Sequence, residues 1–173
     1  MAELVRRCVE DPAIQLDDEL WGLDHGSWSV LRHLFPEARV PTLQLSLNIA
    51  QPASYHLALG RALRPLRDEG ILILASGNLV HNLRRIRWEE NAVPFDWARE
   101  FDDWCRQKLL ARDDRALAED YLKSEAGRLS VPTSDHYLPL LYALGAADER
   151  ETVQFPFEGI QNGSISMRSV RFG

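Results

Sequence analysis

Three histidines lie in local sequences that suit chemistry better than packing. His25 lies between Asp24 and Gly26, His81 comes shortly after an apolar run, and His136 stands at an expected helix start. Neutral imidazole is a common ligand for iron and zinc in proteins and works as a general base near pH 7. Together the three positions point to a metal-dependent active site.

Aromatic side chains surround the first of these histidines. Trp21 and Trp28 flank the turn that contains His25. Aromatic walls beside one imidazole suit a planar substrate, so His25 and Trp28 are candidate substrate-binding residues. The alternative is a turn whose two tryptophans serve the core, and the residues alone do not separate the two.

The second histidine follows an expected turn. Residues 71–75 form an unbroken apolar run that predicts a buried strand, and ligands of α/β sheets collect beyond such strand ends. Gly77 in the next turn lets the backbone pass close to a bound group. Asn78 is a candidate for substrate binding, and it or Asn82 could orient the His81 ring. The alternative is a loop histidine that pairs with a backbone carbonyl.

The third histidine is expected in the first turn of a helix over residues 135–144. The positive end of the helix dipole disfavours a protonated ring there, which leaves a lone pair for a metal or a proton. The alternative is an ordinary N-terminal helix residue. His33 and His56 are interpreted as structural because nothing convergent surrounds them. The paired carboxylates Asp102-Asp103 are interpreted as a solvated helix face.

Composition excludes several classes of partner. The chain has 173 residues, enough for one domain, and a net charge of −6 with no extensive basic patch, so no nucleic acid is expected. No apolar run approaches the roughly 20 residues of a membrane span. Two cysteines are read as reduced thiols of a cytoplasmic protein. A homodimer is the assembly that base rates favour.

The pattern of apolar residues predicts an α/β fold with a central sheet between helical layers and a C-terminal β-hairpin. Helices are expected at 2–10, 27–35, 52–69, 95–111, 115–123 and 135–144, and strands at 40–47, 71–75, 152–157 and 164–172. Ser27 is the expected N-cap of the second helix.

Five segments, in order along the chain, resemble the class III extradiol dioxygenases, in particular their 4,5-DOPA branch. They are Trp21–Trp28, Pro41–Ser46, Ala75–Leu83, His136–Ala146 and Gly163–Val170. The resemblance implies a non-haem metal enzyme, with Fe(II) or in some members Zn(II), that opens a catechol ring with O2 as co-substrate. A catecholic small molecule is then the expected substrate.

The same resemblance implies roles for the three histidines. His136 matches a metal-ligand position. His81 matches a position that is a ligand in this branch and an acid/base histidine in other relatives, and we favour the acid/base role while ligation stays open. His25 matches a catalytic position near the substrate, where it could hydrogen-bond a catechol oxygen.

One part of the family pattern is missing. Members carry an N-terminal part in which a His-Gly-Ser-Pro type turn and a Ser-Ala-His-Trp type strand end each supply a metal histidine, and neither tract occurs here. Residues 1–173 are therefore expected to form a single catalytic-type domain that is incomplete relative to the family fold, with its activity left open. The alternative is a non-catalytic, Memo-like interaction protein on the same scaffold. A metal hydrolase is disfavoured because no His-Glu-x-x-His motif occurs.

Overall fold

Helices account for most of the regular structure in the computed structural model, which describes residues 1–9, 14–17, 21–89 and 91–173. The α-helices are α1 (Ala2–Cys8), α2 (His25–Leu34), α3 (Ala53–Leu63), α4 (Asp96–Leu110), α5 (Asp114–Glu119), α6 (Glu125–Ser130) and α7 (Leu138–Ala146). Two 3-10 helices cover Arg64–Arg67, directly after α3, and Leu83–Arg85. No helix in these described parts is long and apolar enough to cross a membrane.

The closest helix packing is between α3 and α7, where two glycines face the partner backbone. A Cβ at Gly60 would lie 2.6 Å from the carbonyl oxygen of Tyr142, and a Cβ at Gly145 would lie 2.4 Å from that of Leu57. Real Cβ atoms do not approach so closely, so glycine is required at both positions for this separation of the helices.

Two apolar clusters form the core. The larger one gathers fully buried side chains from the segment after residue 78 and from the helices α4 to α7, among them Val80, Phe101, Leu117, Tyr137, Leu141 and Leu144. The smaller one joins α1 and the Arg64–Arg67 region to α3 and contains Val5, Leu59, Leu63, Leu66 and Tyr142. Each such side chain contributes about 1.5–3 kcal/mol on burial, so these clusters hold the helices together.

The predicted C-terminal hairpin is confirmed, although its strands are shorter than expected. Strand β2 (Ile160–Gln161) pairs antiparallel with β3 (Ile165–Ser166), and β1 (Val153–Gln154) pairs antiparallel with β4 (Arg171–Phe172) outside it. Asn162 and Gly163 form the turn between β2 and β3 with φ values of 52° and 76°. Pro156, which has no N–H to donate, interrupts the predicted strand 152–157.

The two segments predicted as central strands are extended but form no ladder among the described residues. Residues 41–48 show the expected alternation, with Leu43, Leu45 and Leu47 half-buried. Residues 71–75 were expected to be covered on both faces, and this is wrong here. Their side chains alternate instead, with Leu72 70% exposed and Leu74 45% exposed, because no described segment packs over that side.

Two predicted helix starts move by several residues. The N-cap of α2 is Asp24 rather than Ser27, since the Asp24 Oδ1 atom accepts a hydrogen bond from the Ser27 N–H at 2.8 Å. Helix α7 begins at Leu138, because residues 135–137 form a turn closed on the carbonyl of Ser134. His136 therefore precedes the helix, and the helix-dipole argument for its neutral form does not apply.

The interpretation of Asp102 as a solvated residue is wrong. Its side chain is buried in α4, where Oδ1 accepts a hydrogen bond from the Ser166 hydroxyl at 2.6 Å and Oδ2 accepts one from Arg168 Nε at 3.1 Å. A buried carboxylate needs such partners to offset its desolvation. The pairing anchors β3 to α4, whereas the neighbouring Asp103 side chain is 68% exposed.

Candidate active site

The imidazoles of His81 and His136 are in face-to-face contact. Their ring centroids are 3.6 Å apart, and their planes are inclined by 21°. The main-chain N–H of His81 donates to the carbonyl of Ser130 at the end of α6, at 2.9 Å. Residue 81 also forms an isolated antiparallel bridge with Ile165 in β3. The C-terminal hairpin and α6 therefore fix the main chain at His81.

The turn at residues 76–78 lies directly against the backbone of His136. The Asn78 N–H donates to the His136 carbonyl at 2.9 Å, and a Cβ on Gly77 would lie only 2.2 Å from that oxygen. Only glycine permits this approach. The sequence predicted a close backbone approach at Gly77, and the structure shows that the group approached is the main chain of His136.

The two asparagines near His81 donate to backbone carbonyls. Asn78 Nδ2 donates to the Ser166 carbonyl at 2.7 Å, and Asn82 Nδ2 donates to the Leu129 carbonyl at 2.7 Å. Asn82 Oδ1 also accepts from the Arg84 N–H at 3.1 Å. Both amides therefore hold the segment around His81 in place, and these contacts do not set the tautomer of an imidazole.

His25 occupies the turn next to this pair. It is the first residue of α2 and is exposed, and the carbonyl of its neighbour Gly26 accepts a hydrogen bond from the Ser76 hydroxyl at 2.7 Å. Ser76 in turn precedes Gly77, which contacts His136. The structure thus brings His81 and His136 together and places the His25 turn one hydrogen bond away from the turn that contacts His136.

The two tryptophans beside His25 do not serve the core. Trp21 is 84% exposed and Trp28 is 48% exposed. Helix α2 has no buried residue at all. The alternative, in which Trp21 and Trp28 serve the core, is therefore wrong, and both indoles are available at the surface beside the His25 turn.

Gln44 contacts the His25 turn and was not identified from the sequence. Its Oε1 atom accepts hydrogen bonds from the Asp24 N–H and the Ser27 hydroxyl, both at 2.9 Å, and its Nε2 donates to Asp24 Oδ2 at 3.0 Å. The alternation of residues 43–47 did place Gln44 on the polar side of that segment. The sequence did not show that Gln44 would contact the turn that contains His25.

The electrostatic surroundings keep His81 neutral. Burial lowers the pKa of His81 below its ordinary value, and the neighbouring His136 lowers it further, while Asp135 acts in the opposite direction. Asp135 lies beside the pair, with its Oδ2 atom 3.4 Å from His136 Nε2. A neutral His81 ring has a free lone pair at pH 7 and can accept a proton.

The described residues do not form a complete metal site. Imidazole lone pairs lie in the ring plane, so two rings stacked 3.6 Å apart cannot both direct a nitrogen at one ion about 2 Å away. Within the ranges that the structure describes, no group of three or more His, Cys, Asp or Glu side chains could hold an ion. His136 can supply one nitrogen ligand, and further ligands are required.

Comparison with known proteins identifies the family of the chain. Residues 2–173 match the family described as the catalytic LigB subunit of aromatic ring-opening dioxygenase. The chain is 46% identical, over 98% of its length and 65% of the relative's, to the 4,5-DOPA dioxygenase extradiol of Escherichia coli K12. It is 35% identical, over 90% of its length and 57% of the relative's, to the enzyme of the same name from Portulaca grandiflora.

A solved structure shows the same fold. The crystal structure of the uncharacterized protein JW3007 from Escherichia coli K12 superimposes with a TM-score of 0.92 at 44% identity, over 99% of this chain and 71% of that one. This match confirms the predicted fold class, and the relatives confirm the resemblance to extradiol dioxygenases. The chain spans less than two thirds of the length of the two curated relatives named above. It belongs to the family of catalytic LigB subunits of aromatic ring-opening dioxygenases.

Proposed function

We propose that this protein acts in a non-haem, metal-dependent extradiol dioxygenase that opens a catechol ring of the DOPA type with O2. The observation that carries the proposal is the contact between His81 and His136, with the His25 turn adjoining it. The names of the relatives, 4,5-DOPA dioxygenase extradiol, support a catecholic substrate.

In this proposal His136 is the metal ligand among the described residues and His81 is the acid/base group. The stacked geometry supports this division, because only one ring of the pair can direct a nitrogen at a given ion. Fe(II), or alternatively Zn(II), is the proposed metal, and when bound it supplies the open positions that bring a catechol and O2 together. A working centre needs ligands in addition to His136.

The proposed work of His81 is proton transfer. Its lowered pKa leaves the ring neutral near pH 7, so that it can take a proton from a catechol hydroxyl and later return it to the opened product. His25 is proposed to donate a hydrogen bond to a catechol oxygen. Trp28 is proposed to flank the ring, and Asn78, whose Nδ2 is engaged with Ser166, offers its Oδ1 to a substrate hydroxyl.

The domain organisation, oligomeric state and location that we propose are those expected from the sequence. We propose one catalytic-type domain over residues 1–173, a homodimer, and a cytosolic location. The cytosolic location is supported by Cys8 and Cys105, which are both free thiols.

A turnover assay tests the proposal directly. The purified protein is mixed with Fe(II), O2 and DOPA, and the appearance of a yellow ring-opened product is followed by absorbance, with metal content measured in parallel. The expected result is colour formation that the variant His81→Asn loses. No colour from protein with demonstrably bound metal would contradict the proposed activity and favour a non-catalytic, Memo-like interaction role.

A further inference from the structure

We propose that Gln44 is a positioning residue for His25, an inference that rests on the function proposed above. Gln44 lies 20 residues from Asp24 in the sequence, yet its amide contacts the residues on both sides of His25. It does not need to touch the substrate for this role, because it acts through the turn that presents the imidazole.

The first argument is the number of hydrogen bonds that one side chain makes. Gln44 Oε1 accepts from the Asp24 N–H and the Ser27 hydroxyl, and Gln44 Nε2 donates to Asp24 Oδ2. Asp24 in turn caps α2 by accepting from the Ser27 N–H at 2.8 Å. The amide therefore bridges both residues of the cap, and His25 lies between them.

The second argument is that no fully buried side chain anchors α2. None of its residues is buried, so no apolar side chain in the core fixes its start. Among the described residues, the side-chain hydrogen bonds that join this start to other segments come from Gln44 and from Ser76, whose hydroxyl donates to the Gly26 carbonyl at 2.7 Å. The position of His25 thus depends on polar contacts at the surface.

The third argument is that Gln44 itself is well anchored. Leu43 and Leu45, its two neighbours in the extended segment 41–48, pack against the smaller apolar cluster. Alternation along an extended chain then points Gln44 away from that cluster and towards the turn. The packed neighbours of Gln44 hold its backbone in place, and its side chain binds the His25 turn.

The central test is the variant Gln44→Glu, assayed at two pH values. At pH ~8 the introduced carboxylate cannot donate to Asp24 and repels it, so we expect kcat to fall about tenfold while KM stays within about twofold. The adjacent Asp24 charge raises the pKa of the new carboxyl group. Near pH ~5 a larger fraction of this group is protonated, and the protonated form reproduces the donor and acceptor pattern of the amide, so the ratio of variant to wild-type kcat should rise.

A matched control carries the same change elsewhere. Gln107→Glu places a carboxylate on the exposed face of α4, and we expect its kcat to follow wild type at both pH values. Gln44→Met removes all three hydrogen bonds without adding charge, so its kcat should be low at both pH values. A loss in Gln44→Glu that does not recover at low pH, or a wild-type kcat in Gln44→Met, would overturn the proposal.

A second readout does not depend on turnover. The Asp24 N–H donates to Gln44, so its hydrogen exchange, followed by NMR, should be on the order of tenfold faster in Gln44→Met and unchanged in Gln107→Glu. Unchanged exchange of the Asp24 N–H in Gln44→Met would contradict the hydrogen bond by which Gln44 holds the His25 turn. Absence of catechol turnover in wild-type protein with demonstrably bound metal would instead contradict the proposed function, so the two failures are distinguishable.

Discussion

At the scale of residues, the histidines could be chosen from the sequence, but their arrangement could not. Local context singled out His25, His81 and His136, because Gly-containing turns and a preceding apolar run can be recognised from neighbouring residues in the sequence. The stacking of His81 on His136 needs two segments 55 residues apart to meet. Gln44 was missed for the same reason, since its partners lie in a different part of the chain.

The different roles of the stacked pair lead to a first prediction. We expect His81→Asn to lower kcat by roughly 10²–10⁴-fold, the range for loss of a general acid/base, with little change in bound metal. His136→Asn should reduce the bound metal itself. Both are checked by steady-state kinetics with metal analysis, and loss of metal in His81→Asn would show that His81 is a ligand.

A second prediction concerns His56, which is fully buried with its Nδ1 2.9 Å from the Tyr142 hydroxyl. Burial lowers its pKa, so the unfolded chain binds a proton more readily than the folded protein does. We expect the free energy of unfolding to be highest above pH ~6.5 and to decrease as the pH falls below that value.

The measurement is urea unfolding at pH 8 and pH 5.5 for wild type and His56→Gln. The glutamine keeps a polar partner for Tyr142 but does not titrate, so its unfolding free energy should decrease less on acidification. His81 also has a lowered pKa but is present in both proteins, and its contribution cancels in the comparison. Equal decreases in the two proteins would rule out a contribution from His56.

At the scale of elements, apolar periodicity located most helices but not their ends. Helices α3 and α4 lie within the predicted ranges, whereas α6 was missed. A capping signal was present there, since Ser124 Oγ accepts from the Gly127 N–H at 2.9 Å. The 71–75 run was read as doubly covered because apolar content alone does not reveal whether a neighbouring segment exists.

The crossing of α3 and α7 gives a third prediction. Gly60→Ala would place a methyl group against the backbone of Tyr142, so we expect it to destabilise the protein by about 1–3 kcal/mol. Gly22→Ala is the control, because nothing lies within 4 Å of its added Cβ, and its effect should stay within about 0.5 kcal/mol. Chemical denaturation measures both, and equal stabilities would contradict the close crossing.

At the scale of the whole molecule, the extended segments leave apolar side chains at the surface. Leu72 and Leu74 are exposed on one side of the 71–78 segment. Unpaired extended chain with apolar side chains promotes self-association. The sequence could not show which apolar side chains would lie at this surface, because that depends on which segments pack over them.

This surface gives a fourth prediction. The double variant Leu72→Lys/Leu74→Lys should aggregate less than wild type, as followed by light scattering over time, because charge discourages pairing between extended edges. Its free energy of unfolding should change by less than about 1 kcal/mol, since both side chains already face solvent. Unaltered aggregation would place the association surface elsewhere on the protein.

The bridge between His81 and Ile165 has a consequence for synthesis of the protein. Ile165 and Ser166 lie in the last hairpin, and Ser166 also receives the Asn78 side chain. A ribosome must therefore have made the chain as far as residue 166 before the segment around His81 can form these contacts. Helices α2 and α3 emerge much earlier, so the nascent chain acquires local helical structure first and the contacts between His81 and the hairpin only after residue 166 has been made.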